Sequence, residues 1–137
     1  MAAGAKRNEG TTRRSEMPDK KLVLLVEDEF IIRDLIQASL EDADFEVAAA
    51  GHGGEAIHLL DGQEQVAALI TDVRLGEGPD GWAVARYARK LKPQLPVIYF
   101  SGHSAGDWPS EGVPNSVYLQ KPLTAPQIVK AVRAATT

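Results

Sequence analysis

Leu22-Val23-Leu24-Leu25-Val26, followed at once by Glu27-Asp28-Glu29, decides how this chain is read. Five apolar residues without a polar interruption mark a strand buried on both faces, as in a parallel sheet, because a strand with one wet face alternates. Three acids then end the run. Working outward, the same pattern returns: Val66–Thr71 (VAALIT) ends at Asp72, and Pro96–Phe100 (PVIYF) ends at Ser101-Gly102. Phe45–Ala50 and Val117-Tyr118-Leu119 are shorter strand-like pieces, the latter running toward Lys121-Pro122.

Helical patterns separate these runs. Ile32, Leu35, Ile36 and Leu40 gather on one face of a helix. Glu55–Leu60 reads as a short helix with Ile57 and Leu60 three apart, and Trp82 to Leu91 as a longer one that packs through Trp82, Ala85, Tyr87 and Leu91. A last helix from Ala125 to Ala134 points Ile128, Val129 and Val132 inward, with Pro126 in its first turn, where a missing N–H costs little. Parallel strands need crossovers, so five strands alternating with helices predict an α/β fold: a doubly wound five-stranded parallel sheet with helices on both faces. Leu75–Gly81 is a loop by composition. Between His103 and Asn115, Trp108-Pro109 and Val113-Pro114 interrupt helical hydrogen bonding, so any helix there is expected to be short and loosely specified.

The 137 residues suit one domain, and 44% hydrophobic content is ordinary for a globular chain. The formal charge is −4, but residues 1–21 hold six Lys/Arg against three Asp/Glu, leaving the remainder near −7. Residues 1–20 have almost nothing to bury and are expected to form a flexible basic tail, solvated or in contact with an acidic partner; residues 21–137 form the domain. An acidic folded part does not fit a nucleic-acid binder. Without cysteine there is neither disulfide nor thiolate chemistry, which fits a reducing compartment. The sequence lacks an apolar run of the ~18 residues a membrane helix needs, and its N-terminal stretch lacks the apolar core of a secretory signal. A cytoplasmic location without membrane contact is expected.

In such folds ligands bind beyond the carboxyl ends of the strands, where strand order reverses. The residues just after the apolar runs are Glu27 and Asp28, Asp72, Ser101 and Lys121. Clustered carboxylates repel unless a cation neutralises them, and an all-oxygen set without Cys or His suits a hard ion such as Mg2+. Asp72 could then act as a nucleophile toward phosphorus, with the metal and Lys121 neutralising the transferred group and Ser101 hydrogen-bonding one of its oxygens.

VEDE, ITDVRL, YFSGH and QKPL, each ending a strand and in this order, resemble the receiver domain of two-component response regulators, from about Lys21 to Ala134. No one of these pieces is specific alone; together they are. The resemblance implies a flavodoxin-like receiver fold with Asp72 as the phosphorylated aspartate. It further implies that Asp28 and Asp72 give carboxylates to Mg2+, Arg74 its backbone carbonyl, and Glu27 a contact through water. Ser101 and Tyr118 would be the switch residues, Lys121 the partner of the phosphoryl group, and the bond before Pro122 cis. Glu27 departs from the commoner Asp, and the Leu75–Gly81 loop is one residue longer than the commonest form. His103 would be either a solvated loop residue or a modulator of dephosphorylation.

The last predicted helix ends close to Thr137, which leads to an expected regulator without an output domain, acting as a relay or adaptor rather than as an enzyme on other substrates. The expected partners are a histidine kinase or histidine phosphotransfer protein and an unidentified downstream protein, with the chain itself a monomer or weak homodimer. The alternative is a degenerate receiver that binds partners without phosphorylation. Flavin-binding modules fit less well, since Glu27-Asp28-Glu29 would repel their phosphate. Aspartate-based phosphatases need an Asp two residues after the first, where this chain has Phe30.

Overall fold

A computed structural model describes residues 20–62 and 65–137. The predicted tail therefore lies, apart from Lys20, outside the described residues. In chain order the elements are β1 (Leu22–Val26), α1 (Phe30–Asp42), β2 (Glu46–Ala50), α2 (Gly53–Gly62), β3 (Val66–Asp72), α3 (Gly81–Leu91), β4 (Val97–Ser101), a 3-10 turn (Ala105–Asp107) running into α4 (Trp108–Glu111), β5 (Val117–Gln120) and α5 (Ala125–Thr136). All strand pairs are parallel, in the order β2-β1-β3-β4-β5. The order reverses between β1 and β3, which leaves a crevice beyond their carboxyl ends.

The unbroken apolar runs are explained by the two faces of the sheet. Leu24 and Val26 of β1, Leu69 of β3 and Tyr99 of β4 join Ala56, Trp82, Val84, Ala85 and Ala88 on the side of α2 and α3. Their neighbours Val23, Leu25, Ile70, Ile98 and Phe100 point the other way, onto Ile36, Leu40, Ile128 and Val132 of α1 and α5. Successive side chains alternate in direction, so a strand covered on both faces has to be apolar at every position.

Two helix faces differ from the sequence reading. Leu35 is 63% exposed rather than packed, together with Phe30 and Ile31. α1 is seated by Ile36 and Leu40, with Ile32 partly buried. In α3 the inward stripe is Trp82, Val84, Ala85 and Ala88, and Leu91, at the helix end, stands out in solvent. Pro109 does not interrupt a helix either. It lies in the first turn of the four-residue α4, where its missing N–H has no intrahelical partner to lose.

Local signals set the helix starts near the crevice. The Asp80 side chain accepts the N–H of Ala83 at 2.9 Å and caps α3. A Thr124/Gln127 capping box, with a proline in the first turn, starts α5. The loop between β3 and α3 turns at Gly76 and Gly78, both with positive φ, and returns so closely that a Cβ on Gly81 would lie 2.1 Å from the Asp72 carbonyl oxygen.

Candidate functional site

Five side chains read from the sequence lie at the carboxyl rim of the sheet. β1 ends in Glu27, which is 0% exposed, and β3 ends in Asp72, at 6%. Lys121, one residue past β5, bridges them: its Nζ donates to Asp72 Oδ2 at 2.9 Å and to Glu27 Oε1 at 3.2 Å. The stem of Lys121 reaches there over the Phe100 ring, whose centroid is 5.0 Å from Nζ. Asp28, beside Glu27, is exposed at the mouth.

Backbone groups fix both buried carboxylates. Asp72 Oδ1 accepts the N–H of Val73 at 2.7 Å and that of Arg74 at 3.4 Å. Glu27 Oε2 accepts the N–H of Glu29 at 3.0 Å. The Arg33 guanidinium donates to the Glu27 carbonyl at 2.9 Å and so ties the start of α1 to the end of β1. Arg74 itself is exposed, one residue beyond Val73.

The electrostatics follow from burial. Loss of water pushes the Glu27 carboxyl up to about 7, against the Glu29 N–H, which lowers it. The Asp72 charge adds to the rise and Lys121 opposes it. Burial lowers the Lys121 ammonium, but the hydrogen bond and charge of Asp72, followed by those of Glu27, outweigh it and leave Lys121 above its ordinary value. Oxygens of Glu27, Asp28 and Asp72 all lie within 4.8 Å of one another, so one ammonium faces three carboxylates. An all-oxygen donor set with excess negative charge fits a hard divalent cation.

The remaining residues form a second group beside the first. The Ser101 hydroxyl donates to Ser104 Oγ at 3.2 Å. The Tyr118 hydroxyl donates to the Ser101 carbonyl at 3.2 Å and accepts the Ser104 N–H at 3.2 Å. The Lys121 N–H donates to that same Ser101 carbonyl at 3.0 Å, and the Lys121–Pro122 peptide is cis. His103 is exposed. The sequence reading missed Ser104: three residues past Ser101, in a stretch where only a short, loosely specified helix is expected, nothing in composition distinguishes it from any turn serine. In the sequence Trp108 stands out only for the proline after it, yet its ring packs on Tyr118 with centroids 5.8 Å apart.

A five-stranded parallel sheet of order 2-1-3-4-5, with an acid cluster and a lysine beyond its carboxyl ends, is the architecture of the flavodoxin-like receiver class. The chain belongs to the response regulator receiver domain family, whose model matches residues 23–133, and it is thus a receiver domain of two-component signalling. It is 32% identical over 116 residues to a putative NtrX-like response regulator of Rickettsia felis, covering 82% of this chain and 24% of the relative. It is likewise 32% identical over 117 residues to the C4-dicarboxylate transport transcriptional regulatory protein DctD of Rhizobium meliloti, covering 82% of this chain and 25% of that protein. The chain thus spans about a quarter of the length of these relatives. Among solved structures it resembles a response regulator receiver protein from Sinorhizobium medicae, with 40% identity and a TM-score of 0.82 over 85% of this chain and 94% of that one. A receiver domain protein from Clostridium thermocellum matches at 27% identity with a TM-score of 0.75, over 85% of this chain and 94% of that one. Among the described residues no helix is long and apolar enough to cross a membrane.

Proposed function

We propose that Asp72 is the phosphoacceptor of a signalling switch that takes its phosphoryl group from a histidine kinase or histidine phosphotransfer protein. The observation that carries this reading is the position of Lys121, whose ammonium pairs with both Asp72 and Glu27 within a cluster of three carboxylates. Asp28, Asp72 and the Arg74 backbone carbonyl would hold Mg2+, with Glu27 acting through water. Bound there, the ion supplies charge neutralisation for a phosphoryl group.

The protein's own groups account for the rest. Two backbone N–H groups and Lys121 orient the Asp72 carboxylate before any donor arrives. A carboxylate oxygen attacks phosphorus in line, the P–N bond of the phosphohistidine breaks, and its electron pair stays on the imidazole nitrogen, which takes up a proton. The product is an acyl phosphate on Asp72. Lys121 then turns from the carboxylates to a phosphoryl oxygen, and Ser101 donates its hydroxyl to another. Hydrolysis reverses the bond: water attacks phosphorus, the P–O bond to Asp72 breaks, and inorganic phosphate leaves.

A protein donor, rather than only a small one, is supported by what flanks the mouth. Phe30, Ile31 and Leu35 are 61%, 71% and 63% exposed on α1. Of these, Leu35 lines a cleft of about 530 Å³ together with Ile32, Phe100, Lys121, Pro122 and Ile128. A partner bringing a phosphohistidine to Asp72 would cover this apolar surface. The output is a shift in population at the β4–α4–β5 face, read by a downstream protein in a relay or adaptor role.

The test is incubation with magnesium and acetyl phosphate, followed by intact mass. One phosphoryl adduct of about eighty mass units is expected on the native chain and none on Asp72→Asn. Equal labelling of both chains would move the nucleophile elsewhere. No labelling of either, with or without a kinase, would leave a partner-binding module that is not phosphorylated.

A further inference from the structure

Ser104 is out of keeping with its surroundings. It is 4% exposed, yet it opens a loop whose next three residues, Ala105, Gly106 and Asp107, are all exposed. It precedes the 3-10 turn, where a serine ordinarily gives its hydroxyl oxygen to one of the first free N–H groups. Ser104 makes no such cap bond. Its Oγ instead accepts the Ser101 hydroxyl, and its N–H goes to the Tyr118 hydroxyl, which in turn donates to the Ser101 carbonyl. The three residues close a ring of hydrogen bonds in which each of the two switch residues is held by Ser104.

The ring is continuous with the surface. Tyr118 lies against Trp108, whose indole N–H donates to Ser116 Oγ at 3.0 Å. Trp108 fits there because position 112 is glycine, where a Cβ would stand 2.3 Å from the Trp108 ring.

We propose that Ser104 is a positioning residue that holds the resting state of this receiver, keeping the Ser101 hydroxyl off the phosphoryl position and Tyr118 in place through one residue. The inference rests on the reading of Asp72 as phosphoacceptor and of Ser101 as the hydroxyl that meets its phosphoryl group. When Ser101 turns toward phosphate, the buried Ser104 hydroxyl loses its donor. A buried polar group without a partner is costly, so Ser104 moves and withdraws its N–H from Tyr118. Ser101 and Tyr118 are therefore released together, and Trp108 feels the change.

The experiment is a time course of acetyl phosphate labelling with magnesium, followed by intact mass, on the native chain, Ser104→Ala, Ser104→Thr, Ser101→Ala and the Ser101→Ala/Ser104→Ala double variant. Freeing Ser101 from one ordinary hydrogen bond is expected to make Ser104→Ala label about fivefold faster than the native chain. Ser104→Thr, which keeps the hydroxyl, should stay near the native rate. In the Ser101→Ala background the Ser104 substitution should have no effect, since the bond it removes is already gone. A Ser104→Ala rate no higher than native, or an acceleration that persists without the Ser101 hydroxyl, overturns the proposal. A second measurement stands even if Ser104→Ala does not fold: the Trp108 indole N–H resonance, assigned with Trp108→Phe, should shift on phosphorylation of the native chain, and an unmoved resonance also overturns it. Failure of the native chain to label at all would instead remove the Asp72 reading, and Ser104 with it.

Discussion

Replacing Glu27 by Gln removes a buried charge that loss of water penalises, and the consequence can be worked out with its sign. In the folded chain Glu27 is pushed from 4.5 to about 7. Between those values the folded state holds a proton that the unfolded chain has released, so stability falls as pH rises through this window and is level on either side. At about 1.4 kcal/mol per pKa unit, the full swing is roughly 3 kcal/mol, or on the order of 10 °C in Tm for a domain of this size. Gln cannot titrate. Its amide oxygen can still accept the Glu29 N–H, while its amide nitrogen faces the Lys121 ammonium and loses that bond, a cost present at neutral and alkaline pH alike. With divalent cations chelated, Glu27→Gln should therefore gain on the native chain by about 3 kcal/mol between pH 4.5 and pH 8, read as the difference in urea midpoints at equal slope. Magnesium should shrink the gap at pH 8, because a bound cation takes over the compensation of the native charge. A gap that does not change with pH, or one that favours Glu as pH rises, would refute the reasoning.

Lys121→Ala should lower acetyl phosphate labelling by about two orders of magnitude, because it removes the cation facing the transferred charge; a rate within threefold of native would exclude that role. Gly81→Ala should displace the loop after β3, since its Cβ would sit 2.1 Å from the Asp72 carbonyl oxygen and the clashing atom is backbone. A cost of about 2–4 kcal/mol and slowed labelling are expected, and a neutral effect on both would show that the loop is not held there. Tyr99→Phe removes a fully buried hydroxyl that accepts the Val113 N–H at 3.0 Å, so denaturant unfolding should show a loss of about 1–3 kcal/mol without a change in labelling. Gly112→Ala should push Trp108 off Tyr118 and move the Trp108 indole resonance even before phosphorylation.

Much of this protein was legible from strand ends. Leu22–Val26, Val66–Ile70 and Pro96–Phe100 are apolar throughout because both faces of their strands are covered, and that requirement reads directly as sequence. The same runs point to Glu27, Asp28, Asp72, Ser101 and Lys121, since the residue that ends a buried parallel strand has to emerge at one rim of the sheet. What the sequence could not determine depends on distance between segments. Leu35 has the periodicity of a core residue, but which side of α1 faces the sheet is settled by how α1 meets β1 and α5, and Leu35 falls outside that contact. Pro109 reads as a helix breaker until the helix is seen to begin beside it. Ser104 gains its bond to Tyr118 only because β4 and β5 run side by side and bring that residue, fourteen positions away, within hydrogen-bonding reach of its N–H. Periodicity records what each segment must bury; it carries no record of which polar groups meet once the segments are packed together, and the proposed switch would be made of such meetings.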